Sequence, residues 1–195
     1  MKRTIVTLLV AWAFHAGLPA APMAQEMSEE QMQAWMEAVS PNEHHAALDP
    51  LTGSWSHDLT FWQAPDAEPM TMTATSEAKW IMGGRYVVSD YTGEFMGMPF
   101  EGRDLIGYDN AKEKYFSVWI DNMSTGPLQT WGTYDADTRI LTFEGTTVDP
   151  MSGEEIRQKS TVKILDDGRL LYESYMPGPD GEMYRHMEIH STKTG

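Results

Sequence analysis

Cysteine is absent from all 195 residues. That excludes disulfides, thiolate metal centres and a lipid anchor on a modified Cys. The short signatures of common enzymes are missing too. There is no G-x-S-x-G elbow, no H-E-x-x-H pair, no P-loop and no dinucleotide fingerprint. Basic residues are scarce, with 14 Lys and Arg against 29 Asp and Glu, for a formal charge of −15. Such a surface repels nucleic acid and anionic membrane, and it suits solubility or a cationic partner. No segment after residue 18 is apolar enough to span a bilayer, and no internal repeat or low-complexity tract divides the chain.

The first residues read as a secretory signal. Lys2 and Arg3 precede an uncharged apolar stretch, 4–18, and Pro19 with a run of small residues follows. The stretch is short for a membrane span, so cleavage near Ala20 or Ala24 is expected, and with it a periplasmic or secreted protein. Since Lys2 and Arg3 leave with the signal and no acid does, the mature chain is more acidic still. The expected division is a signal over 1–24, a helix and lead-in over 25–50, and a β domain over 51–195.

One helix is legible, over 28–39. Ser28 with Gln31 completes a capping box. Met32, Trp35, Met36 and Val39 form one apolar stripe, and Pro41 ends the helix. The stripe predicts packing against a core, closing one end of the fold. Fifteen Met and seven Trp are many for this length. Met fills irregular gaps and lines adaptable ligand surfaces.

After Leu51 the period changes to two. Met70, Met72 and Ala74 alternate with Thr71, Thr73 and Thr75. Further strands are expected over 54–62, 85–93, 100–107, 115–122, 128–134, 140–148, 155–165, 170–176 and 183–191. Turn chemistry separates them, as at Gly83-Gly84, Asp109-Asn110, Asp166-Asp167-Gly168 and Pro179-Asp180-Gly181. About eight to ten closely spaced strands argue for an all-β antiparallel meander, and closure into a barrel removes the exposed edges. A β-sandwich is the alternative.

Gly53-Ser54-Trp55, after the helix and opening the first strand, resembles the G-x-W of lipocalin and calycin barrels. There a Trp at the closed end packs under a basic residue from a late strand, which pairs Trp55 with Arg185. A wider pattern joins Pro41-x-Glu43-His44, Gly83-Gly84-Arg85, Gly97-x-Pro99-Phe100-Glu101-Gly102, Gly107-Tyr108-Asp109 and Trp119-x-Asp121. It resembles a widespread bacterial family of unknown function with a lipocalin-like barrel. The resemblance runs from about Pro41 to the C-terminus; it implies the fold and assigns no chemistry.

Tyr115, Ser117, Trp119 and Asp121 share one strand face, and Phe116, Val118 and Ile120 the other. If the first face lines the interior, Trp119 and Asp121 with Tyr91 and Arg85 form a ligand wall in which Arg85 and Asp121 pair. A cavity of Trp, Tyr, Arg and a carboxylate suits an amphipathic small molecule. The opposite assignment gives a plain solvent face.

Five histidines follow the signal. His186 and His190 are an even number apart and are expected on one face. A small ten-stranded barrel holds haem through one His in nitrobindin, which makes either a candidate axial ligand. The plainer reading is a hydrogen-bonded or surface His, and no cofactor is required. Glu43, His44, His45 and Asp49 are a weak candidate metal set, since adjacent His side chains rarely converge. Three functions remain open: a barrel binding a small apolar or amphipathic ligand, an enzyme working inside it through Arg85, Asp121 and a His, or a filled barrel with a structural role.

Overall fold

The computed structural model describes residues 27–149 and 151–194. The signal expected over 1–24 lies outside the described residues. Ten antiparallel strands form a closed barrel in which sequence neighbours pair throughout and β1 closes on β10. They are β1 (Gly53–Phe61), β2 (Met70–Ile81), β3 (Tyr86–Phe95), β4 (Met98–Asp109), β5 (Lys114–Asp121), β6 (Leu128–Asp135), β7 (Ile140–Val148), β8 (Glu155–Ile164), β9 (Leu170–Pro177) and β10 (Met183–Lys193).

Period-two alternation decides which side chains enter the lumen, because directly paired residues share a face. The buried core identifies that face. Trp55, Ala78, Val87, Ile106, Tyr115, Leu141, Phe143, Ile164 and Leu170 pack together. All lie near the starts of odd strands or the ends of even ones, so one end of the barrel is a filled apolar floor.

The floor is plugged from below by α2 (Glu43–Ala46) and a 3-10 turn (Asp49–Leu51), not by the long helix. Leu48, with no exposed surface, and His45 enter the core from this segment. α1 (Glu29–Ala38) forms with the expected capping box, the Ser28 hydroxyl accepting from the Gln31 amide at 3.1 Å. Its stripe does not pack on the core: no α1 residue is buried, and Trp35 is 48% exposed. Side chains of the barrel hold the C-terminal end of α1 through its carbonyls. Arg85 donates to Val39 O at 2.9 Å, and Asn110 donates to Ala38 O and Ser40 O at 2.9 Å each.

The β3–β4 connection is tighter than expected. Met96 and Gly97 both adopt positive φ, 52° and 79°. That is the signature of a two-residue type I′ hairpin, whose twist matches the strands it joins. The strands therefore extend to Phe95 and from Met98, past the limits of 93 and 100 read from the sequence.

Candidate functional site

Above the floor the lumen changes character. Asp104 lies two residues along β4 from buried Ile106, on the same face. Its register partners are Ser89 on β3 and Trp119 on β5. The Ser117 hydroxyl donates to Asp104 Oδ1 at 2.6 Å. Burial pushes the Asp104 carboxyl up to about 6, against the opposing pull of Ser117 and the Leu105 amide. Tyr91 on β3 and Tyr172 on β9 stand close enough to feel its charge, and burial raises both phenols. These groups are deep inside the wall, yet none is fully shielded from solvent.

Two histidines also face inward. His57 on β1 reaches Ser191 through Nδ1 and Ser76 through Nε2, both at 2.8 Å. Its ring lies 5.3 Å from Tyr91. Burial pushes His57 down to about 4, so the neutral ring donates through one nitrogen and accepts through the other. His186 contacts Ser174 at 2.9 Å through Nε2, and burial lowers it as well.

The strand register brings Tyr91, Gly102 and Asp121 into one row across β3, β4 and β5. Trp119 extends over Gly102, stacks on Phe100 at 6.3 Å and meets Tyr91 edge-on at 5.3 Å. A β-carbon at Gly102 would stand 2.5 Å from the indole, so the glycine makes room for the ring. Asp121 accepts from Trp119 Nε1 at 2.6 Å and from the Met123 amide at 2.9 Å. Tyr91, Trp119 and Asp121 thus share the interior, and the aliphatic face of β5 points outward, with Ile120 at 48% exposure.

Arg85 does not join them. The Gly83-Gly84 hairpin sits at the closed end, and Arg85 turns down to Met82 O and Val39 O. Six residues of strand separate it from the Tyr91–Asp121 row, roughly 20 Å. The expected Arg85–Asp121 pair is absent because the two lie at opposite ends of the wall.

Arg185 does not pair with Trp55 either. Trp55 is 2% exposed, and its Nε1 donates to Leu51 O at 3.0 Å. The cation over its indole is Lys193, with Nζ 5.1 Å from the ring centroid. Lys193 is the register partner of Trp55, whereas Arg185 sits eight residues away along β10. Arg185 instead lies outside, over Trp62 at 5.0 Å, paired with Glu173 and Glu188.

His186 and His190 point to opposite sides. A β-bulge between Arg185 and Met187 breaks the period-two count and turns His186 inward. His190 stays outside and contacts Glu188. Nε2 of His186 is engaged by the Ser174 hydroxyl. The Glu43–His44–His45–Asp49 set is dispersed: His44 stacks on Tyr108 at 4.3 Å, His45 turns to Asn42, and Asp49 accepts from Trp80 Nε1 at 2.7 Å. Among the described residues, no group of three or more His, Asp or Glu is placed to hold a metal ion.

The sequence reading missed Asp104, Tyr172 and His57. A signal existed for the first. Phe100, Gly102, Asp104, Ile106 and Tyr108 alternate on one face, so a carboxylate stands on an otherwise apolar side of its strand.

The open end carries a further feature. Every hairpin there bears an exposed methionine at its tip or edge: Met70, Met96, Met98, Met123, Met151 and Met183. Inside this collar Phe61 and Phe95 meet edge-on at 6.2 Å. A depression of about 380 Å3 lies over β3–β5, lined by outward Asp90, Thr92, Glu101, Arg103, Ile120 and Asn122 and reaching Tyr91, Gly102 and Asp121 of the row behind them. It is shallow, and Arg103 and Asp90 already pair across it at 2.5 Å.

The same fold occurs in the crystal structure of Rv2717c from M. tuberculosis, with a TM-score of 0.55 at 14% identity over 80% of this chain and 100% of that one. No curated protein matches the chain. The family described as "Protein of unknown function (DUF1579)" matches residues 40–193, from just after α1 through the last strand, and the chain belongs to that family.

Proposed function

We propose that this protein is an exported barrel that holds a small apolar or amphipathic molecule in its lumen. The observation that carries the reading is the layering of the interior. An apolar floor supports a belt of hydroxyls, neutral imidazoles and the Asp104 and Asp121 carboxylates, with aromatic side chains and a methionine collar above. A few polar groups converging within apolar walls is the usual make-up of a small-molecule site. Flexible, polarisable Met side chains suit a mouth that adapts to its guest. Acid–base chemistry in the lumen is the second reading, favoured by the raised carboxyl of Asp104, and it would rest on Asp104 and Tyr91, not on Arg85.

Native mass spectrometry of protein isolated from its own envelope fraction tests binding. The expected result is an added small-molecule mass that is lost on denaturation. Bare protein that also ignores every added amphiphile overturns the reading. N-terminal sequencing tests export: the mature chain should begin between Ala21 and Met27, and an intact Met1 would refute it.

A further inference from the structure

Resting on the reading of the lumen as a ligand cavity, we infer that the guest is an amphipathic cation whose ammonium head pairs with Asp104 among Tyr91, Tyr172 and Trp119, its apolar tail lying toward the methionine collar. The argument begins with an unbalanced charge. Asp104 has a hydroxyl and an amide as partners but no counter-ion. Above the floor, no strand places Lys or Arg on the inward face among the described residues. Charged and titratable groups reach Asp104's surroundings from every side. Tyr91 comes from β3, Asp121 from β5, Tyr172 from β9, His57 from β1 and His186 from β10. The two His are neutral near pH 7, and the two phenols are kept protonated by burial. The lumen is therefore anionic, and it is anionic where the dielectric is lowest.

A buried carboxylate is costly unless something balances it. A fatty acid would add a second negative charge beside Asp104. A neutral guest would leave the first unbalanced. An ammonium head supplies the missing charge and N–H donors, and the nearby ring faces attract it further. Tyr91, Trp119 and Phe100 form an interlocked aromatic wall on that side. The apolar layer around Phe61 and Phe95 lies between Asp104 and the mouth, where a hydrocarbon tail would run.

Three probes of one chain length separate the possibilities: dodecylammonium, dodecanol and dodecanoate, each below its micelle concentration. Titration calorimetry at about pH 7.5 follows wild type and Asp104→Asn, with circular dichroism to confirm folding. The amine should bind wild type at least about tenfold more tightly than the alcohol, and the acid most weakly. Asp104→Asn should erase the preference for the amine over the alcohol. If Asp104→Asn does not fold, pH supplies the same test in wild type. Amine affinity should then fall as pH drops below about 6, where Asp104 gains its proton, and alcohol affinity should not. Equal affinities, or an amine preference that survives Asp104→Asn or low pH, overturn the cation and leave the cavity standing. No binding by any of the three overturns both.

Discussion

The Ser117 hydroxyl donates to Asp104 at 2.6 Å inside the barrel, and that bond does not offset the cost of burying the charge. The carboxyl therefore sits at about 6, well above its ordinary 3.8. A raised carboxyl favours the folded state at low pH, and that contribution is lost as pH rises from about 4 through 6. His57 works in the opposite sense. Its folded value, about 4, lies below the ordinary 6.5, so its contribution is present above about pH 6.5 and lost as pH falls through 4. The two slopes oppose each other across one window. Wild type should show a shallow dependence in urea unfolding between about pH 4 and 6.5. Asp104→Asn should unmask a steeper rise with pH and add about 2 kcal/mol near neutrality. His57→Gln should reduce the rise below that of wild type. Parallel profiles in all three proteins would refute the opposition.

The closed end gives a sharper contrast. Trp55 is almost fully buried among the floor residues and hydrogen-bonded to Leu51. Trp55→Ala should cost about 3–5 kcal/mol. Arg185→Met should cost under about 1 kcal/mol, because its ion pairs lie on the outer surface. Lys193→Met should cost about 0.5–1 kcal/mol through its lost place over the indole. If Arg185 proved as costly as Trp55, the assignment of Lys193 as the residue over the indole would fail.

Arg85 has a structural task at the other side of that floor. It donates to the Val39 carbonyl at the end of α1, none of whose residues is buried. Arg85→Ala should therefore loosen α1 without melting the barrel. Hydrogen exchange should quicken in peptides covering 29–38, with global stability changed by less than about 1.5 kcal/mol. Unchanged protection over α1 would show that Arg85 does not hold it.

What the sequence carried and what it hid follow from one rule and its exceptions. Strands declare themselves by alternation, which is local, so ten of them were legible with limits displaced by a residue or two. Both strands flanking Met96-Gly97 run two residues further than expected, because a methionine there takes a positive φ that residue statistics do not anticipate. Facing also follows from alternation, and it placed Tyr91, Trp119 and Asp121 together. It failed at His186 because a single extra residue in β10 inverts the count, and no side chain announces a bulge. Partnerships across the barrel were the least legible. Lys193 and Arg185 differ in height along one strand and, through the bulge between them, in face, and Arg85 and Asp121 differ in which end of the wall they occupy. Those heights depend on the register of every strand between them. The α1 stripe misled for another reason: its period is real, but whether a face finds a core depends on how the chain enters the fold.

Gly102 offers the most direct test of the aromatic wall. A β-carbon there would lie 2.5 Å from Cη2 and 2.6 Å from Cζ2 of Trp119, too close for any real contact. The indole has little freedom to retreat. Asp121 holds its Nε1, Phe100 stacks on one face, and Tyr91 meets it edge-on. Gly102→Ala should therefore cost about 1–3 kcal/mol, the usual penalty for overpacking. The same change in a Trp119→Phe background should cost much less, since the smaller ring does not reach over Gly102. A coupling of about 1 kcal/mol or more between the two substitutions is the expected result. Equal costs in both backgrounds would mean that Gly102 is needed for its backbone, and that Trp119 does not depend on the space it leaves.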